Sequence, residues 1–194
     1  MQLTLPPRLG RAGRLTIATA MAVAIAVAAC GGKGGSNDSA TRTRAETPPA
    51  HLEHDQPFPD VTLTGLDSVK VSTASLVRGH QTIVLFISTA CETCSELMKV
   101  WNRRAEVVPA DLHVVLIVDE DVDYAAKYAA RTGIRLPLYC DTHSVFAHQY
   151  DMEIYPTAVA VRPDGTMLFV RRGVTPLFTP DRAVNMIRHV EREN

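Results

Sequence analysis

The chain has 194 residues, 46% hydrophobic and 21% charged, the composition of one ordinary globular domain with appendages. Its net charge of −1 gives no basis for a nucleic-acid partner or for acidic substrates. Four cysteines occur, Cys30, Cys91, Cys94 and Cys140, and their positions tell more than their number.

Arg8, Arg11 and Arg14 precede an uncharged apolar run from Leu15 to Ala29. The run is short for a membrane span and suits the core of a signal peptide. It ends Val27-Ala-Ala-Cys30, which resembles a bacterial lipobox. The resemblance implies that residues 1–29 are a lipoprotein signal peptide, cleaved before Cys30, and that lipid is attached to the Cys30 sulfur. The folded part then works at the cell envelope outside the cytoplasm, anchored to the membrane, where disulfides persist. Residues 30–56 read as a flexible tether, glycine-rich from Gly31 to Gly35 and stiffened at Pro48-Pro49. His51 and His54 form an H-x-x-H there, too few ligands for a metal site.

The folded domain is expected over residues 57–194. Phe58–Thr64 and Val69–Ser72 alternate around Gly65-Leu-Asp67, a hairpin signal. A short helical turn fits Thr73 to Val77. Thr82–Ser88 is almost wholly apolar, as a strand buried on both faces should be. Ser95 to Val108 carries Met98, Trp101, Ala105 and Val108 at helical spacing, with Pro109 as the stop. Leu112–Val118 is a second buried strand. The acids of Asp119–Asp123 read as start signals for a helix over Tyr124–Arg131, since the spacing lacks a calcium loop. Leu136–Tyr139 is a short strand ending at Cys140, and Ser144–Tyr150 a short helix. Ala158–Val161 and Thr166–Val170 pair across Arg162-Pro-Asp-Gly165, and Thr179-Pro180 opens a last helix.

The chemistry gathers at Cys91-Glu92-Thr93-Cys94, between the first buried strand and the helix after it. A helix N-terminus presents unpaired N–H groups and partial positive charge, which stabilise a thiolate. Cys91 at the helix mouth is placed to attack. Cys94, three residues on, faces the same side and can close a disulfide. Half a zinc site would need a second Cys or His pair at ligand spacing, and none follows.

The order of a strand, a C-x-x-C opening a helix, strand, helix, then Tyr155-Pro156-Thr157 before a hairpin and a helix resembles the thioredoxin fold. The expected architecture is α/β: a mixed central sheet flanked by helices, with an N-terminal β-hairpin and a central α/β insertion. That insertion, between Asp119 and Tyr150, resembles the extracytoplasmic TlpA-like disulfide reductases. Phe86-Ile-Ser-Thr-Ala-Cys91-Glu-Thr-Cys94 is also similar to MauD-type members. The resemblance implies that Cys91 is the nucleophile and Cys94 the resolving cysteine. It implies a cis-proline at Pro156, which turns the Tyr155 backbone toward an incoming peptide. Gly173 either lets a substrate backbone approach or is a turn glycine. The chain departs from the family where it has Ala90 before the first cysteine and Thr93 before the second. Leu85 stands where thioredoxin itself carries a buried acid, so a water or another group must accept the Cys94 proton. Glu92 and Thr93 are the residues expected to tune the redox pair. Cys140, ending a strand, is either a buried core cysteine or a third redox centre.

The implied function is that of a lipid-anchored thiol–disulfide oxidoreductase that reduces or isomerises disulfides of exported proteins. It needs no cofactor beyond the Cys91–Cys94 pair and no metal, and it is recharged by a membrane electron donor of the DsbD or CcdA kind. Two alternatives stand beside it. A peroxiredoxin-like peroxidase would place Thr three residues before its cysteine and Pro four before that, where this chain has Ser88 and Val84. A copper-binding module resembling the SCO assembly proteins would have three residues between its cysteines and a distant histidine; here there are two, and His143 and His148 are the candidates.

Overall fold

The structure is a computed structural model that describes residues 50–193; Cys30 and the expected signal peptide lie outside them. The sheet is built around β3 (Gln81–Ile87) and β4 (Leu112–Val118), which run parallel in register from Gln81 opposite Leu112 to Ile87 opposite Val118. Both are nearly continuous apolar runs because both faces of the sheet are covered. Ile83, Leu85 and Ile87 point to one core, Val84 and Phe86 to the other.

Outside them lie β1 (Thr62–Gly65), β2 (Lys70–Ser72), β5 (Leu138–Cys140), β6 (Thr157–Val161) and β7 (Met167–Arg172). Among the described residues these seven strands form one sheet in the order β2-β1-β5-β4-β3-β6-β7. β5 pairs parallel with β4; β6 pairs antiparallel with β3, as does β7 with β6 and β1 with β5. The sheet is mixed and the fold is thioredoxin-like.

The helices are α1 (Thr73–Val77), α2 (Glu92–Arg103), α3 (Val122–Thr132), α4 (Val145–Gln149) and α5 (Pro180–Glu193). α2, α3 and α5 bury Leu97, Met98, Trp101, Tyr128, Ala183 and Ile187 on the Leu85 face. Val77 of α1 and Phe146 of α4 pack on the other, with Leu52, Phe58 and Met152. Trp101, fully buried, donates its Nε1–H to the Phe178 carbonyl at 2.8 Å, which satisfies its one polar group.

Two expectations are corrected. The helix expected to run to Val108 ends at Arg103, and Ala105–Val107 form a tighter 3-10 turn. Of the tether expected over residues 30–56, residues 50–56 are docked on the body. Leu52 is 1% exposed, Ala50 N–H donates to the Gln149 carbonyl, and Asp55 and Gln56 exchange backbone bonds with Met167. A polar, proline-flanked composition hid one buried leucine and a strap of backbone hydrogen bonds. No helix among the described residues is long and apolar enough to cross a membrane.

Candidate active site

β3 ends at Ile87, and Ser88-Thr89-Ala90 carry the chain to Cys91, the N-cap residue of α2. The Cys91 N–H closes this turn on the Ser88 carbonyl at 3.2 Å. Cys91 has the extended backbone of an N-cap, and its Sγ accepts from the Cys94 N–H at 3.1 Å. The sulfur therefore occupies the place an N-cap oxygen would take, where a backbone donor and the helix dipole both favour negative charge. Cys91 and Cys94 are joined as a disulfide with Cα atoms 5.2 Å apart. Cys91 is partly exposed and Cys94 fully buried, so an incoming group reaches Cys91 first.

The opposite wall is the segment entering β6. The Tyr155–Pro156 peptide is cis. The Tyr155 carbonyl oxygen lies 3.9 Å from Cys91 Sγ. A disulfide sulfur carries no proton, so this is a contact in the oxidised pair. Pro156 also accepts from the Val174 N–H at 3.0 Å, which binds the turn after β7 to the proline segment. Gly173 in that turn has φ +66, and a Cβ there would meet Ile154 Cγ2 at 3.6 Å, an ordinary contact. Glycine is needed at 173 for its backbone angle and not for space. Ile154 is 49% exposed beside it. The Tyr155 hydroxyl is held protonated, its pKa pushed up to about 12 by burial and then by the charges of Asp119 and Asp141.

Glu92 and Thr93 are exposed in the first turn of α2. Cys140 ends β5, opposite Val118 on one side and Thr64 on the other, and is fully buried. Burial first, then the charges of Asp121 and Glu120, push its thiol up to about 11. It remains a protonated thiol at neutral pH, the unreactive form. Leu85 is buried between Leu116 and Ala158, so no acid stands in that position of the strand. Among the described residues no three His, Cys, Asp or Glu side chains converge on a common metal position. His51 and His54 each face a carboxylate, Asp151 at 3.7 Å and Asp55 at 2.9 Å.

The acidic run after β4 is where the sequence reading falls short. Asp121 is the N-cap residue of α3, without a side-chain bond to the helix. Asp119 and Glu120 reach away from it: Ser144 donates to Asp119, and Thr89 Oγ1 donates to Glu120 at 2.5 Å. Asp141, 2% exposed, accepts from the Phe146 and Ala147 N–H groups and so starts α4. An acidic cluster at the C-terminal end of a buried parallel strand was the available signal, because such ends carry the sites of open α/β sheets.

Several solved structures share the fold. A protein from Chlorobium tepidum described as a thiol:disulfide interchange protein DsbE aligns with a TM-score of 0.62 at 18% identity, over 72% of this chain and 98% of that one. Peroxidoxin BcpB from Mycobacterium tuberculosis aligns with a TM-score of 0.62 at 16% identity, over 72% of this chain and 98% of its own. A secreted disulfide oxidoreductase from Mycobacterium tuberculosis, homologous to E. coli DsbE, aligns with a TM-score of 0.54 at 21% identity, over 66% and 95%. No curated protein matches the chain. The AhpC/TSA family model matches residues 54–170, from the docked strap through the two cysteines and the cis-proline to β7, and the chain belongs to the AhpC/TSA family.

Proposed function

We propose that this thiol–disulfide oxidoreductase is a membrane-anchored reductant or isomerase for disulfides of exported proteins, of the TlpA-like and MauD-like kind. The observation that carries this reading is the Cys91–Cys94 pair itself: a partly exposed sulfur capping a helix, joined to a buried one and facing the cis-proline segment. The reduced Cys91 thiolate attacks one sulfur of a substrate disulfide; the substrate S–S bond breaks and its other sulfur leaves as thiolate. Cys94 then attacks Cys91 Sγ, closing the intramolecular disulfide and releasing the second substrate thiol. Two electrons pass to the substrate, and a membrane dithiol donor of the DsbD or CcdA kind restores the pair by the reverse exchange. Lipid on Cys30 holds the domain at the membrane where both partners are found. Tyr155, Pro156 and Gly173 form the wall against which a substrate backbone lies.

One charge beside Cys91 supports a reducing direction of electron flow. Glu92 is an anion in the helical turn that Cys91 caps, and like charge disfavours a thiolate. A less stable reduced form makes a better reductant. Cys94→Ser should accumulate mixed disulfides with exported proteins, because the resolving thiol is gone, and Cys91→Ser should accumulate few. Non-reducing gels of envelope extracts read this directly; equal trapping by both variants contradicts the order of attack.

A second reading, a thiol peroxidase, draws on the family match and on the shared fold of peroxidoxin BcpB. Turnover of hydrogen peroxide by the reduced protein separates the two.

A further inference from the structure

At the C-terminal ends of β3 and β4, two loops are joined side chain to side chain. Thr89 Oγ1 donates to Glu120 Oε1 at 2.5 Å in a partly buried bond that spans 31 residues of sequence. Thr89 is two residues before the attacking cysteine. The other bonds of this segment are internal: Cys91 N–H to the Ser88 carbonyl and Ala90 N–H to Ser88 Oγ. Among the described residues, no other side-chain hydrogen bond ties residues 88–90 to a different element. In the oxidised pair the disulfide also fixes Cys91 to α2. In the reduced pair that link is open; Cys91 stays joined to α2 as its N-cap through the Ser95 N–H donating to its carbonyl at 3.2 Å, and the Thr89–Glu120 bond joins the preceding segment to the loop after β4. Charge from that loop is felt at this end of the sheet, since Asp121 and Glu120 add to the burial that raises the Cys140 thiol.

We propose that Glu120 is a positioning residue for the redox centre: it holds Thr89, keeps the segment carrying Cys91 in place once the disulfide opens, and fixes a negative charge over that segment. This rests on Cys91 being the reacting sulfur. A charge-assisted bond from a hydroxyl to a carboxylate is among the stronger kinds. A carboxylate held by such a bond keeps its charge in one place, where a free surface side chain would spread it into solvent. Glu92, Asp119, Asp121, Asp141, Cys140 and Tyr155 are among the other ionisable groups at this end. Glu120 is distinguished from them by its bond to the cysteine-bearing segment.

The test is the pH profile of iodoacetamide alkylation of Cys91 in the reduced full-length protein, with reduction potentials measured against glutathione. Glu120→Gln keeps an acceptor for Thr89 and removes the charge. Its Cys91 pKa should fall by about half a unit, a roughly threefold gain in thiolate below the pKa, and its potential should rise. Thr89→Val removes the donor and frees the carboxylate, so its pKa should fall by part of that amount, and Thr89→Ser should restore the wild-type value. The double variant Thr89→Val with Glu120→Gln should fall no further than Glu120→Gln alone, because both act through one bond. An unchanged pKa in both single variants, whatever happens to their unfolding midpoints, overturns the proposal, as do fully additive shifts. If Cys91→Ser is alkylated as fast as wild type, Cys91 is not the reacting sulfur, and that base reading fails together with this inference.

Discussion

Cys140 and Cys91 stand at the C-terminal ends of β5 and β3 in the same sheet, yet their surroundings divide them. Cys91 caps a helix and is partly open to solvent; Cys140 is sealed between β1 and β4 with acids nearby. The two readings of Cys140 therefore differ in a measurable way. A thiol whose pKa is raised from 9.0 to about 11 binds its proton more tightly folded than unfolded. Its stabilising contribution is complete below the unfolded value and is lost as pH rises through the window from about 9 to about 11. Cys140→Ala should flatten the fall in stability across that window, as read by urea unfolding at a series of pH values. Disulfide reductase activity at neutral pH should stay within a few-fold of wild type. A collapse of turnover with folding intact would instead make Cys140 a working redox centre. Tyr155, raised to about 12 for similar reasons, leaves a residual alkaline loss in the variant.

Elements were legible in the sequence where one physical cause dominated. β3 and β4 show as short, nearly continuous apolar runs, and α5 as a run opened by Thr179-Pro180, whose buried face lies at Ala183 and Ile187. The Cys-x-x-Cys at the strand-to-helix junction was legible for the same reason, because the cap position and the chemistry coincide. α2 was extended too far, to Val108, because apolar residues continue at helical spacing beyond Arg104. There the chain must turn toward the start of β4, and it does so in a 3-10 turn held beside α5 by the Arg104–Asp181 ion pair. Pairings distant in sequence, such as Thr89 with Glu120, leave no periodic trace. The strap before β1 is the largest such miss. Its backbone partners come from the β6–β7 hairpin and α4, more than ninety residues away, and Arg172 also donates to the Leu52 carbonyl at 3.1 Å. Leu52 is its one deep anchor, packed with Phe58, Phe146 and Met152. Leu52→Ala should cost roughly 2–5 kcal/mol of stability, the range for a buried leucine. Denaturant unfolding measures this. A loss of only a few tenths of a kcal/mol would mean that the strap contributes nothing to the folded core.

At the scale of the whole molecule, the docked strap fixes where the chain enters the described domain. Nineteen residues separate Cys30 from Ala50 in the sequence. The chain leaves the described domain at Ala50, tied to Gln149, and the neighbouring Leu52 carbonyl is held by Arg172. Arg172 lies opposite Thr157, the residue after the cis-proline. The chain therefore enters the described domain at the end of the sheet that carries the disulfide. Cys30→Ser should leave an unlipidated precursor that keeps its activity on soluble disulfides in vitro, since no residue of the redox centre is touched. The same substitution should remove the protein from washed membranes and slow its recharging in cells, seen as a larger oxidised fraction on thiol-trapping gels. Wild-type protein that takes up no labelled fatty acid and fractionates as fully soluble would end the anchoring proposal while leaving the chemistry at Cys91 and Cys94 untouched.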